Sequence, residues 1–183
     1  MAQLTPNYTK TVEALLYLME LAGERVLDQY KLGKALFFAD CEHLKEYGRP
    51  ITYCNYAAMK DGPVPSEAYD LLKGERLKGG KHIETPWRAQ NVRDNIFNYV
   101  PERLANRTKL SVSDLETLQT AYEFVKDKSF GEIWNLTHAD DAYVEAWERR
   151  GDKKSVLMKL ELLTNGDADL VDDLAFSSRY AVK

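Results

Sequence analysis

Eight side chains of this 183-residue chain have the types that chemistry at a site requires: Asp40, Cys41, His43, Cys54, His82, His138, Asp140 and Asp141. Asp40 and His43 stand three residues apart in a stretch with helical apolar spacing, so they share a face. If His138 with Asp140 or Asp141 folds against them, the set suits a metal ion or a His–Asp general base. Other patterns weigh against this. No HExxH or paired-carboxylate motif occurs, no Ser or Cys sits in a GxSxG elbow, and the two cysteines form no CxxC. A histidine near a helix C-terminus commonly satisfies carbonyls, and His138 beside Thr137 reads as a residue holding a loop before a helix. The expectation is therefore no metal, no cofactor and no catalysis. Asp40, His43, Thr137 and His138 are assigned structural polar roles.

The elements that would position these groups begin with Lys34–Tyr47, an amphipathic helix carrying Leu36, Phe37, Leu44 and Tyr47, with Gly48 as its C-terminal cap. Arg49-Pro50 cannot continue it. Ile51–Met59 suits a short strand, Asp61–Pro65 a rigid turn, and Pro65-Ser66 the opening of another helix.

Elsewhere, Tyr8–Leu21 presents the stripe Val12, Leu15, Leu16 and Met19, ended by Gly23, and Asp28 is a candidate N-cap. Residues 73–82 (KGERLKGGKH) read as a glycine-rich basic loop, without the spacing of a phosphate cradle. Residues 83–101 predict two short strands, joined in one small sheet with the Tyr53–Met59 strand. Arg88, Arg93, Arg103 and Arg107 make the middle third locally basic: ordinary surface charge, or a face for an acidic partner. Leu110–Lys126 is the clearest helix, with Ser113 and Glu116 as its expected capping box. Ser129 can cap a helix through Ile133, Trp134 and Leu136, and residues 140–149 predict another, packed through Val144 and Trp147. Lys154–Leu163 fits helix or strand. Val171, Leu174, Ala175 and Tyr180 predict a last helix in an acidic tail.

The fold class expected is α+β: one mostly helical domain over 1–183 with a small antiparallel sheet of about three short strands, 150–183 forming a candidate C-terminal helical appendage. Hydrophobic content of 44% with 30% charged residues is that of a globular chain. A net charge of −4 argues against general nucleic-acid binding. No apolar run reaches membrane-spanning length and the N-terminus lacks the h-region of a secretory signal, so a reduced cytoplasmic location with no membrane association is expected.

The order helix, YGRPI, extended segment, GPVP, helix also resembles the Panacea domain, the SocA-like antitoxin domain of bacterial and phage toxin–antitoxin systems. The matching residues are Lys34, Leu36, Phe38-Ala39-Asp40, His43-Leu44, Tyr47-Gly48-Arg49-Pro50-Ile51, Ala58-Met59-Lys60, Gly62-Pro63-Val64-Pro65 and Tyr69. A later Leu136-Thr137-His138 fits the family's Leu-Thr-His signature, although the aromatic expected close behind it arrives only as Tyr143. The resemblance implies an antitoxin that neutralises a toxin encoded next to it by direct binding, without catalysis. It also implies alternatives: a proteolytic adaptor handing the toxin to a cytoplasmic protease or, from the residues themselves, a metal-assisted hydrolase of a phage or mobile element using Asp40, His43 and His138. Tyr47, Arg49, Tyr53, Tyr56, Lys60, Pro63, Val64, Pro65 and Tyr69 are the candidate toxin-binding residues, since tyrosine and arginine anchor interfaces and a proline-held loop costs little to order. Some relatives add a DNA-binding helix-turn-helix. A chain of this length has no room for one, so direct DNA binding is not expected.

Overall fold

The computed structural model describes residues 2–77, 80, 82–93 and 96–180. Eight α-helices and five short strands follow one another among them. Helix α1 (Tyr8–Ala22) is capped by the Asn7 side chain and buries nearly all its circumference, with Ala14, Leu15, Leu16 and Leu18 fully enclosed. It packs on α2 (Gln29–Tyr47) and on α4 (Val112–Val125), and these three helices hold the main core. The Asp28 carboxylate accepts a hydrogen bond from the Lys31 amide at 2.7 Å to start α2, and Gly48 ends it in the left-handed conformation at φ 68°.

The chain then folds into a hairpin of β1 (Tyr56–Met59) and β2 (Gly62–Pro65), turning on Lys60 and Asp61, and enters α3 (Ser66–Lys73) directly. The GPVP segment expected to be a turn is thus a strand. Both prolines occupy positions of the same parity on the edge strand of the order β2-β1-β5, where a missing N–H breaks no ladder bond. The third strand, β5 (Val156–Leu157), comes from late in the chain.

Residues 87–101 do form the expected hairpin, β3 (Trp87–Arg93) with β4 (Ile96–Pro101), but it is a separate two-stranded sheet. It cannot join β1, whose two edges are already taken by β2 and β5. The hairpin docks through the buried Trp87 and Tyr99 instead. Within the basic loop read over 73–82, Lys78, Gly79 and Lys81 lie outside the described residues.

Helix α4 starts two residues earlier than its apolar stripe suggests. Its capping box is Ser111 with Asp114, not Ser113 with Glu116, because Asp114 is also drawn inward by Lys10 and Arg49. Helix α5 (Phe130–His138) has the box of Ser129 with Glu132, and α6 (Asp141–Arg149) is capped by Asp140. Helix α5 lies against β2 and α6 against β1. Beyond β5 come α7 (Leu160–Leu163) and α8 (Ala168–Ser177). Leu160, Val171 and Leu174 pack with Leu4, Leu44 and Tyr53 in a second apolar cluster, so residues after 150 contribute both a strand and a core. No helix among the described residues is long and apolar enough to cross a membrane.

Gly62 shows how tightly the hairpin meets α2 and α5. Its φ is +100°, and a Cβ there would lie 2.6 Å from Lys34 Nζ and 2.7 Å from Thr137 Oγ1. The Thr137 hydroxyl itself donates to the Ile133 carbonyl at 3.0 Å, so it has little freedom to retreat. Gly62→Ala is expected to cost roughly 2–3 kcal/mol from backbone strain and overpacking, read as a lowered urea midpoint at unchanged slope.

Candidate partner-binding face

Asp40 is 2% exposed and gathers the segment that leaves α2. Its carboxylate accepts from the Ile51 amide at 2.8 Å, the Thr52 amide at 3.0 Å, the Thr52 hydroxyl, and the Tyr56 hydroxyl at 2.8 Å. Burial pushes its pKa up, against those four donors.

His43, fully buried, donates from Nδ1 to the Arg49 carbonyl at 2.7 Å, and its Nε2 lies 3.1 Å from Ser113 Oγ and 3.2 Å from Asp114 Oδ1. Asp114 also takes Lys10 Nζ and, at 3.0 Å, Arg49 Nη2. Burial acts to raise the Asp114 pKa, but the hydrogen bonds from Lys10 and the Ser111 amide, with the Lys10 and Arg49 charges, hold it below the usual carboxylate value. Arg49 and its neighbours in YGRPI therefore lock α1, α2 and α4 together.

His138 stands on a different wall. Its Nδ1 meets the Trp134 carbonyl at 2.8 Å, while Nε2 lies 2.8 Å from the Tyr143 hydroxyl and 3.1 Å from the Lys60 carbonyl. Tyr143 donates to the Met59 carbonyl at 2.9 Å, so this pair pins α5 and α6 to the β1–β2 turn. The late aromatic of the Leu-Thr-His signature reaches the histidine across the α5–α6 connection. Among the described residues no hydrogen bond or ion pair joins Asp40 or His43 to His138. Among the described residues no group of three or more His, Cys, Asp or Glu side chains is placed to hold a metal ion. Burial raises the pKa of both Cys41 and Cys54, away from nucleophilic thiolates.

The nine candidate contact residues divide by burial. Tyr53, Tyr56, Pro63 and Pro65 are buried. Tyr56 hydrogen-bonds Asp40 and packs edge-on against Phe37 with centroids 5.2 Å apart. Tyr47 is 45% exposed, Lys60 is exposed at the hairpin turn, and Arg49, Val64 and Tyr69 are half-buried. The basic middle third is largely paired internally: Arg103 with Glu13, Arg107 with Glu20, Arg88 with Glu102.

Two features stand outside the sequence reading. The first is an aromatic ladder over α5 and α6. Trp134 stacks on His138 with centroids 3.6 Å apart, His138 meets Tyr143 at 4.4 Å, Tyr143 lies parallel to Trp147 at 5.9 Å, and the Arg150 guanidinium covers Trp147 at 3.6 Å. These rings, Lys60 and Val144 line an open groove of ≈ 620 Å³. Phe130, 53% exposed, stands one turn before Trp134 on α5 and meets Tyr30 in a tilted contact with centroids 4.7 Å apart. The aromatic spacing 134, 138, 143, 147 was a visible signal, but helical spacing does not tell an outward stripe from an inward one.

The second feature is a cleft of ≈ 200 Å³ between α2, the hairpin and α3, sharing Lys60 with the groove. Lys34, only 2% exposed, lies beneath it and donates from Nζ to the Pro63 carbonyl at 2.8 Å. Its position amid Leu32, Ala35 and Leu36 was the signal that this lysine is inside.

The chain matches the family described as antitoxin SocA-like, Panacea domain, over residues 32–143. The match runs from the helix that carries Lys34 to Tyr143, taking in the Asp40 hub, the hairpin and most of the aromatic ladder. Comparison with curated proteins and with solved structures gave no match. With the matched segment covering well over half of its length, the chain belongs to the SocA-like, Panacea-domain antitoxin family.

Proposed function

We propose that this chain is an antitoxin acting in the cytoplasm, neutralising a toxin protein encoded next to it by holding it in a direct complex, without catalysis. The observation that carries this reading is membership of an antitoxin family over residues 32–143. The contact face proposed is the α5–α6 groove with the Lys60–Asp61 turn. Trp134, at 37% exposed, and Phe130 present rigid aromatic area beside polar groups, the composition of interface anchors. The hydrogen bonds of His138 and Tyr143 hold that face in one arrangement, which lowers the ordering cost of binding.

The test is co-expression with the adjacent reading frame while growth is scored. The expected result is that the neighbour alone arrests growth, that the pair grows, and that the two proteins co-purify. A neighbour that is harmless alone, or toxicity that persists beside abundant folded protein, overturns the proposal.

A further inference from the structure

The cleft beneath the hairpin carries an inference that does not depend on toxin binding. Its ≈ 200 Å³ exceeds the roughly 150 Å³ of an apolar cavity that accepts benzene. Met59, Val64, Pro65 and Leu72 give it apolar walls, and three polar groups are set into them. Lys34 Nζ spends one proton on the Pro63 carbonyl and has two more to offer. The Tyr30 hydroxyl and Gln29 Nε2, from the same lining, are buried with no hydrogen-bond partner among the described residues. The Lys34 amine lies over the Tyr30 ring, 5.1 Å from its centroid, and buried polar groups normally find partners, so two orphans in the lining that holds this amine mark a place where the partner comes from outside the chain. All three groups can donate, so their complement is an acceptor. Beside an amine stripped of its hydration, that acceptor is best an anion.

The surroundings of the amine sharpen this choice. Burial draws the Lys34 pKa down to about 7, opposed by Asp61 at the hairpin turn, which makes no ion pair with it within 4.0 Å among the described residues. The other titratable groups lining the cleft are Tyr30 on α2, Lys60 on the turn and Tyr69 on α3. A bound carboxylate would supply the counter-charge that Lys34 lacks.

We propose that this cleft binds a small apolar monocarboxylate, with its carboxylate held by Lys34, Tyr30 and Gln29 and its body against Val64, Pro65 and Leu72. The volume limits the ligand to about ten non-hydrogen atoms, for which a dissociation constant of about 1 mM or tighter is expected.

The experiment titrates the full chain with benzoate and 3-phenylpropionate, using benzamide as the uncharged control. Calorimetry measures affinity, and amide chemical shifts of residues 29–34 and 59–72 locate the site. Benzoate is expected to bind at least about tenfold tighter than benzamide, since its charge faces a buried amine. Above pH 7 the acid's affinity should fall by up to about tenfold per unit as Lys34 loses its proton. Lys34→Met should abolish acid binding. Tyr30→Phe removes only an unpartnered hydroxyl, so it should weaken binding several-fold and leave the urea midpoint in place. No binding of either acid at about 10 mM, equal affinity for benzamide, or acid binding that survives Lys34→Met overturns the proposal. If Lys34→Met fails to fold, unchanged affinity in Tyr30→Phe overturns it equally.

Discussion

Replacing Asp40 with alanine is expected to remove about 3–5 kcal/mol of stability, a large share of the 5–15 kcal/mol typical of a domain. The carboxylate is the common acceptor of two backbone amides and two hydroxyls, all within a site closed to water. Its removal leaves two amides and the Thr52 hydroxyl unpaired at about 1–3 kcal/mol each before relaxation, while the Tyr56 hydroxyl keeps the Leu36 carbonyl at 3.3 Å. Tyr56→Phe deletes one of the four donors and keeps the ring, so about 1 kcal/mol is expected from it. The measurement is urea unfolding of the three proteins at neutral pH. Should Asp40→Ala unfold within about 1 kcal/mol of the parent, the carboxylate does not hold the Ile51–Tyr56 segment and the loop must be ordered by packing alone. Neutralising activity is expected to fail in Asp40→Ala together with the fold, which separates it from variants of the surface.

Trp134→Ala is expected to weaken the complex with the toxin by about 2–4 kcal/mol, some thirty- to thousand-fold in Kd. Stability should fall by only about 1–2 kcal/mol, because the indole is 37% exposed and stacks on His138 at the surface, so the variant stays folded for the binding measurement. Leu104→Ala is the control: this side chain is 75% exposed and does not line the groove, so binding should stay at the parental level. Tyr47→Ala discriminates between faces, since Tyr47 is exposed beside the YGRPI turn and away from the groove lining. If Tyr47→Ala abolishes binding while Trp134→Ala does not, the toxin docks at the end of α2 and the α5–α6 groove is not the contact. The readout is affinity between purified antitoxin and toxin, with growth rescue as its cellular counterpart.

Local physical chemistry made much of this protein legible in its sequence. The caps at Asp28 and Ser129, apolar stripes at helical spacing and the αL glycine at 48 act within a few residues, and they marked α1, α2, α4, α5 and α6 without knowledge of the fold, although the box of α4 lies two residues before the one expected. The spaced motifs from Lys34 to His138 likewise pointed to the family, because chemistry-bearing residues in one order are legible whatever lies between them. Long-range partners were not legible. That GPVP is an edge strand followed from β1 pairing with residues 156–157 on its other side, about a hundred positions away. That the hairpin of residues 87–101 stands apart followed from the same occupied edges. Burial was hidden too: Tyr53 and Tyr56 are inside and Tyr47 and Trp134 outside, although all are aromatic residues in motif-bearing stretches. Whether Asp40, His43 and His138 converge was not legible either, because packing gives each its own carbonyls, amides and hydroxyls. By itself the sequence determined most of the helices, the caps at Asp28 and Ser129, and the antitoxin family, because those depend on neighbours in the chain. Only the tertiary structure decided which motif residues face a partner, and that Lys34 lies under a cleft with two unpaired donors, because exposure and hydrogen bonding depend on neighbours in space.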